Sequence, residues 1–590
     1  MDDTVVNFKV DGKDYQAPVG TTILTACRNA GIDIPTLCYF EEISEEAACS
    51  LCLVEVKGAK TLMRACVTKL MSAMEIFTNT PRVRKARRIN MELLLAGHPK
   101  DCFTCDRNQD CELRRLAFDM DIRDVRFPKA TTVEFPIDLT SPSIIRDPNK
   151  CILCRRCVSV CANVQAVYAI DSVNRGKRTK IGTYLDKGLG NVECVNCGQC
   201  LLVCPTGALS EQNITEEVWK ALSDPKKIVL VETAPAVRAA IGESFGLEAG
   251  TLATGKMVAA LRKLGFNKVF DTQFSADLTI MEEGYELIDR IQNKGVLPLI
   301  TSCSPGWIKF AEHFYPNMLK HLSTCKSPQQ MFGAVAKTYY AQKLKVDPRD
   351  IVVVSVMPCV AKKFEARRPE MASAYAYWKD KMKLKDEDIF PDVDYVLTTR
   401  EAARMIKEAG IDFANLGDED FDVPLGVSTG AAVVFGATGG VMEAALRTAY
   451  EVISGKTLEK LDFENVRGLQ GIKTATVDIE GKKLNVAVAH SLRNARVLLD
   501  QAAEGKSPYA FIEIMTCPGG CIGGGGQPMP TNTAVRKKRM EAIYREDKNK
   551  PLRKSHENPA VKALYSDFMC KPLSELSHKL LHTHYMPRGR

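Results

Sequence analysis

The cysteines of this chain fall into ligand spacings, and those spacings restrict its folding more than any other feature. Sixteen of the 22 cysteines precede residue 205, and fifteen of those sixteen stand in four sets. Cys38, Cys49, Cys52 and Cys66 read C-x10-C-x2-C-x13-C, and His98, Cys102, Cys105 and Cys111 read H-x3-C-x2-C-x5-C. Cys151, Cys154, Cys157 and Cys161 read C-x2-C-x2-C-x3-C, as do Cys194, Cys197, Cys200 and Cys204; Pro205 follows the second copy and Ala162 the first. Four thiolates, or three and an imidazole, hold an iron–sulfur cluster. A structural zinc ion is the alternative for the first two sets taken alone. In the doubled pattern the last cysteine of each run serves the other cluster. Cys151, Cys154, Cys157 and Cys204 are therefore expected to form one site, and Cys194, Cys197, Cys200 and Cys161 the other. A line of such sites carries electrons to one place. Cys27 and Cys570 fit no spacing and read as plain thiols.

So many thiols imply a reducing compartment and metal ligation rather than disulfides. The start, Met1 to Thr4, is acidic and lacks the apolar core of a signal peptide. No run reaches the ~18 apolar residues of a membrane span. The expected location is cytoplasmic. Arg82, Arg84, Lys85, Arg87 and Arg88 cluster in a chain of formal net charge +8. They read as a solvated helix face or as a dock for an acidic electron carrier. No basic–aromatic module accompanies them, so nucleic acid is not expected as a partner.

Residues 5–17 alternate around Asp11-Gly12, a hairpin signal. A helix is expected from the N-cap Thr21 to Ala30, stopped by Gly31, and another over 82–96, ended by Gly97. A charged, proline-bearing linker spans about 124–148. From Lys227 the pattern alternates between strands and helices. The strands are Ile228–Val231, Lys268–Asp271, Leu297–Ile300, Ile351–Val356, Tyr395–Thr398 and Asn485–Ala489. This predicts a largely parallel α/β arrangement covered on both faces. Active sites in such sheets lie at the carboxyl ends of strands, where Cys303 and Cys359 fall.

Three segments remain. Thr301-Ser302-Cys303-Ser304-Pro305-Gly306-Trp307 is the first, and Met357-Pro358-Cys359-Val360-Ala361-Lys362-Lys363-Phe364-Glu365 the second. The third runs from Glu513 through Met515, Cys517, Gly519, Gly520 and Cys521 to Gly525. Glycines around Cys517 and Cys521 admit close approach of backbone to a cluster. Lys362 is a cation three residues after a thiolate, and Met357 and Met515 offer polarisable apolar surface. By residue chemistry alone this is a buried metal site at the end of an electron line. Glu283 and Glu286 share one face of an expected helix. They read either as a solvated helix edge or, with Cys303 and Ser323, as groups that both give and take protons.

The second and third segments match the signatures MPCxxKxxE and ExMxCxxGCxxG at every fixed position. The first matches TSCCPxW except at Ser304. Here the chain resembles the iron-only (FeFe) hydrogenases along its whole length, in their large multi-cluster form. The Cys38 and His98 sets resemble the N-terminal cluster domains of the large iron–sulfur subunit of respiratory complex I. The resemblance implies four regions: a β-grasp 2Fe–2S domain over 1–80, a small helical His-ligated 4Fe–4S domain over 81–125, an α+β ferredoxin-like domain with two 4Fe–4S clusters over 138–212, and an α/β catalytic domain with mostly parallel sheets over 213–590. It implies one 2Fe–2S cluster, three accessory 4Fe–4S clusters and the H-cluster. That last group is a 4Fe–4S cubane joined through a cysteine to a diiron unit with carbon monoxide, cyanide and azadithiolate. The implied reaction is reversible dihydrogen oxidation and proton reduction.

By the same resemblance Cys521 bridges the subclusters, and Cys359 and Cys517 ligate the cubane. Lys362 hydrogen-bonds a cyanide with Glu365 beside it, Ala234 and Pro235 lie near the other cyanide, and protons pass along Cys303, Glu283, Ser323 and Glu286. Strict register puts Ser304 in a ligand position. It ligates as an alkoxide, or the cubane has three thiolates, or the loop shifts and Cys303 ligates. The complex-I-like front end points to an NAD(P)-linked complex, of a kind that can be electron-bifurcating. Its flavin- and NAD(P)-binding subunit, ferredoxin and the H-cluster maturation enzymes are the expected partners. The alternatives are a stand-alone ferredoxin-dependent hydrogenase, a complex-I-like electron-transfer subunit, and a non-catalytic relative in assembly or sensing. The Met-Pro-Cys segment counts against the second and Cys303 against the third. Gly436–Gly440 is glycine-rich but lacks a dinucleotide-binding frame.

Overall fold

The structure, a computed structural model, describes residues 5–129, 133–458, 460–479 and 481–589. The acidic start Met1–Thr4 and the middle of the expected linker, 130–132, lie outside the described residues. The chain divides into two compact units, Met1–Val192 with Val203–Ser210, and Glu193–Leu202 with Glu211–Arg590. Each is described by itself.

The first unit begins with a five-stranded sheet in the order Lys13–Pro18, Val5–Val10, Glu75–Phe77, Leu53–Val56, Met63–Arg64. Val6, Phe8 and Val10 point inward while their neighbours are exposed, as a half-buried strand requires. Asp11 and Gly12 turn the hairpin with φ of 48° and 86°, the left-handed pair that matches strand twist. The following helix is Ile23–Asn29, and its cap is Thr22 rather than Thr21. Thr22 is the extended residue whose hydroxyl accepts from the Thr25 amide at 3.2 Å. Cys27 sits wholly inside this core, its thiol pushed up to about 11 by burial and by Asp11. The helix Pro81–Ala96 is capped by Thr80 and stops at Gly97. Its basic residues are tied to their own domain: Arg87 gives two hydrogen bonds to the Leu53 carbonyl and Arg88 pairs with Glu92. The expected linker is folded at its end. Ile144–Arg146 is a strand, and Arg146 pairs with Asp138 at 3.1 Å.

The second unit holds two four-stranded sheets. One has the order Lys268–Asp271, Ile228–Thr233, Ile351–Met357, Tyr395–Thr398, all parallel. The other runs Leu299–Ile300, Phe511–Met515, Lys482–His490, Ile472–Ile479. Its first three strands are parallel, and Ile472–Ile479 pairs antiparallel. The sheets are thus mixed. Strands Phe511–Met515 and Ile472–Ile479 went unread in the sequence. Glu513 breaks the apolar run of the former, and the latter buries only every few residues. Ile351–Met357 is buried at every position, the continuous apolar run of a strand covered on both faces. Each such buried aliphatic side chain contributes roughly 2 kcal/mol to the unit's stability. The helix Thr272–Gln292, capped by Asp271, packs with most of its length buried.

Candidate active site

Four segments leave their strands at carboxyl ends and meet. Ala234 and Pro235 follow Ile228–Thr233, Cys303 follows Leu299–Ile300, Cys359 follows Ile351–Met357, and Cys517 follows Phe511–Met515. Together they line a pocket of about 790 Å³, with Ser304, Met357, Lys362, Met515 and Cys521 in its wall. Cys197, from the last thiolate set, lines the same pocket.

Local chemistry explains why the segments hold their shape. Ser304 precedes the helix Pro305–Phe314, but its hydroxyl does not cap it. Instead Ser304 Oγ lies 2.7 Å from Thr516 Oγ1 and accepts from the Thr516 amide at 3.2 Å, so the first segment is tied to the third. Trp307, fully buried, donates its ring N–H to the Thr301 carbonyl at 3.0 Å and closes the first segment on itself. Between Cys517 and Cys521, Gly519 and Gly520 have φ of 78° and 86°, and a Cβ on Gly520 would stand 2.7 Å from the Thr438 amide nitrogen. A Cβ on Gly524 would run into the Pro358 carbonyl, and the Gly526 amide donates to that carbonyl at 2.8 Å. The second and third segments therefore pack backbone to backbone.

Lys362 Nζ donates to Glu365 Oε2 at 2.6 Å, Ser327 Oγ at 2.7 Å and the Cys303 carbonyl at 3.3 Å. Burial works against this ammonium, yet Glu365 and the nearby thiols hold its pKa above the ordinary value. Glu365 does not line the pocket; it anchors Lys362. Burial raises the thiols of Cys359, Cys517 and Cys521, the last to about 12 with Cys359 adding to it. Thiols so placed become thiolates only when a cation compensates them. Together with the apolar methionine walls, this donor set fits a buried iron–sulfur group.

Glu283 and Glu286 are buried, which removes the solvated-edge alternative. Burial and the charge of Glu286 push the Glu283 carboxyl up to about 8, against a hydrogen bond from Ser323. Ser323 Oγ donates to Glu286 Oε2 at 2.9 Å, and Arg290 pairs with Glu286 Oε1 at 2.6 Å. The Cys303 thiol stands well above its ordinary value through burial and then through Glu283. Sequence reasoning missed Arg290, although its place four residues after Glu286 on a helix was a signal. It also missed Cys325, buried with its Sγ 3.8 Å from Glu286 Oε2, for which the sequence carries no spacing signal.

Thiol sets also gather in the first unit. Cys38 and Cys49 have sulfurs 3.4 Å apart, as do Cys52 and Cys66, and all four are buried. Within each pair a thiol–thiol hydrogen bond holds one member, Cys49 and Cys52, below its usual range. His98 Nδ1 is buried without a hydrogen-bond partner among the described residues, the state of a nitrogen that awaits a ligand. Of its companions Cys102, Cys105 and Cys111, Cys105 Sγ is so close to Gly207 that a Cβ there would stand 2.5 Å away. Cys151, Cys154, Cys157 and Cys204 line one pocket of about 480 Å³. Cys161 belongs to the first unit, and Cys194, Cys197 and Cys200 to the second.

Five sequence families match the chain. "Iron only hydrogenase large subunit, C-terminal domain" covers residues 227–525 and "Iron hydrogenase small subunit" covers 533–588. "2Fe-2S iron-sulfur cluster binding domain" covers 3–81, and "NADH-ubiquinone oxidoreductase-G iron-sulfur binding region" covers 87–126. "NADH-quinone oxidoreductase subunit 3, ferredoxin-like domain" covers 141–210. The chain is 51% identical to the NADP-reducing hydrogenase subunit HndD of Solidesulfovibrio fructosivorans, over 100% of both chains. It is 41% identical to iron hydrogenase 1 of Clostridium pasteurianum, over 98% of this chain and 99% of that one. Among solved structures, an apo [FeFe]-hydrogenase HydA1 variant from Chlamydomonas reinhardtii aligns with a TM-score of 0.56 at 42% identity, covering 64% of this chain and 99% of the other. A thiol-lined pocket at converging strand ends, set in a chain with these full-length relatives, belongs to one family: the protein is an iron-only hydrogenase.

Proposed function

We propose that the chain is the hydrogen-activating subunit of a larger cytoplasmic NAD(P)-linked complex, whose flavin resides on a partner subunit. One observation carries this reading: the chain is similar over its full length to a subunit named as NADP-reducing, front-end cluster regions included. Electrons pass through one 2Fe–2S and three 4Fe–4S clusters, held by the Cys38, His98, Cys151 and Cys194 sets. The shared pocket of Cys151, Cys154, Cys157 and Cys204 supports the exchanged fourth ligand, and the orphaned His98 Nδ1 supports the imidazole ligand.

When bound, the H-cluster supplies the metal at which two protons and two electrons combine to dihydrogen. Cys359, Cys517 and Cys521 would hold it through their thiolates. Ser304 would complete the ligand set as an alkoxide, a form that the Thr516 amide donating to Ser304 Oγ would favour. Lys362 offers a cation to the anionic ligands, fixed in place by Glu365 and Ser327. Ala234, Pro235, Met357 and Met515 wall the group from water. Protons move from Glu286 by Ser323 Oγ to Glu283 and reach the Cys303 thiol. Glu283, pushed up to about 8, both holds and releases a proton near neutrality.

The alternative is a stand-alone hydrogenase that exchanges electrons with ferredoxin directly, supported by the ferredoxin-like region 141–210. The isolated, matured chain is expected to turn over hydrogen with an artificial dye and to show almost no activity with NAD(P)H. Native purification is expected to bring down a flavoprotein. A lone monomer that reacts rapidly with ferredoxin overturns the complex in favour of the alternative.

A further inference from the structure

Behind Glu286 lie two groups that no step above uses, Cys325 and His582. Glu286 comes from the helix Thr272–Gln292, Cys325 from the stretch after Leu322, and His582 from the C-terminal segment. Cys325 and His582 face each other across an antiparallel bridge. It is flanked by the Lys326 amide on the Leu581 carbonyl at 2.8 Å and the Thr583 amide on the Thr324 carbonyl at 2.7 Å. One ligand atom from each of Glu286, Cys325 and His582 lies within 4.8 Å of the other two, and all three residues are buried. Arg290 holds Glu286 Oε1, while Oε2 accepts from Ser323 Oγ at 2.9 Å and the Thr324 amide at 3.1 Å and also faces the Cys325 sulfur at 3.8 Å. Thiol, imidazole and carboxylate together form a zinc-type donor set.

We propose that Glu286, Cys325 and His582 bind a zinc-class divalent cation, which closes the proton relay by tying up the Glu286 carboxylate. The closure rests on the relay reading above; the binding does not. A thiolate and a carboxylate neutralise the cation, so the buried site carries no net charge. His582 Nδ1 lies 2.8 Å from Thr324 Oγ1 and Nε2 3.1 Å from Glu282 Oε2. One nitrogen turns to the metal while the other keeps its partner and orients the ring. Three protein ligands leave the fourth tetrahedral position to water. Binding breaks the S–H bond of Cys325; its proton leaves to solvent, and no electron moves. The exposed His578 packs against His582 with ring centroids 4.3 Å apart and planes tilted by 43°, and marks the side of entry.

The test uses the matured full chain with zinc chloride in a dye-linked hydrogen-evolution assay and cadmium chloride in absorption titrations. A single tight cation is expected, with a cadmium–thiolate absorption band, loss of evolution that a chelator restores, and unchanged iron content. Cys325→Ser and His582→Gln are expected to keep the basal rate while weakening the cation at least about tenfold. Equal inhibition in both variants, or no cadmium–thiolate band, overturns the site. If the cation binds with its band while evolution stands, closure is overturned. Glu286→Gln then tells the two readings apart: an inactive variant leaves the relay standing, and a fully active one removes the relay as well.

Discussion

Cys303 and Ser304 are neighbours with different proposed tasks, and their surroundings separate them. Burial and Glu283 keep the Cys303 thiol protonated, whereas Ser304 is held by the amide and the hydroxyl of Thr516. Cys303→Ala is therefore expected to keep the carbonyl and cyanide infrared bands while turnover falls about 10²–10⁴-fold, the size of a lost proton-transfer group. Loss of those bands would instead make Cys303 a ligand. Ser304→Cys is expected to preserve the bands. Glu283 supplies the pH dependence. Its folded-state value of about 8 lies above the ordinary 4.5, so its neutral form is favoured in the folded protein. The stability this contributes is present in full below the ordinary value and is lost as pH rises through about 8. The protonated-carboxyl infrared band that vanishes in Glu283→Gln should titrate away over that same range. A band already absent at pH 6 would refute the assignment.

Among the elements, the helix Gly440–Ser454 gives the first glutamate of the third motif a structural task. Glu513 Oε1 accepts from the Gly439 amide at 2.6 Å and Oε2 from the Met442 amide at 2.8 Å. Its carboxylate thus satisfies orphan donors at a helix N-terminus, where negative charge is favoured. Gly439, at φ 90°, makes room for this, and a Cβ there would collide with the Val466 carbonyl. The glycine-rich run Gly436–Gly440 therefore serves an internal carboxylate. Glu513→Ala leaves two buried N–H groups unpaired and is expected to cost roughly 2–4 kcal/mol. Thermal denaturation measures this loss. Glu513→Gln, which keeps one acceptor, should lose less and still show the cofactor's infrared bands.

For the whole molecule, the reading is of a serial electron line that ends in a thiol-lined pocket. Among the described residues, no helix is long and apolar enough to cross a membrane. On the proposed reading, the four accessory ligand sets and the pocket set the metal content. Iron analysis of protein matured in the cell is expected to match one 2Fe–2S cluster, three 4Fe–4S clusters and the H-cluster, with no zinc at the Cys38 or His98 sets. Zinc in either set, with iron correspondingly short, overturns that assignment.

The sequence by itself marked the candidate ligand sets, because cluster ligation needs particular residue types at short spacings, and such patterns survive in one dimension. It also determined the strands that run as unbroken apolar stretches, such as Ile351–Met357 and Lys268–Asp271. Phe511–Met515 was hidden because its central glutamate is buried against a helix end distant in sequence. The tertiary structure alone decided that the second unit holds two four-stranded sheets, that Thr516 holds Ser304, and that Cys325 faces Glu286. Those pairings join residues far apart in the chain or lie in a cluster without a motif. Hydrogen-bond reach and burial are properties of the packed fold, and no spacing encodes them.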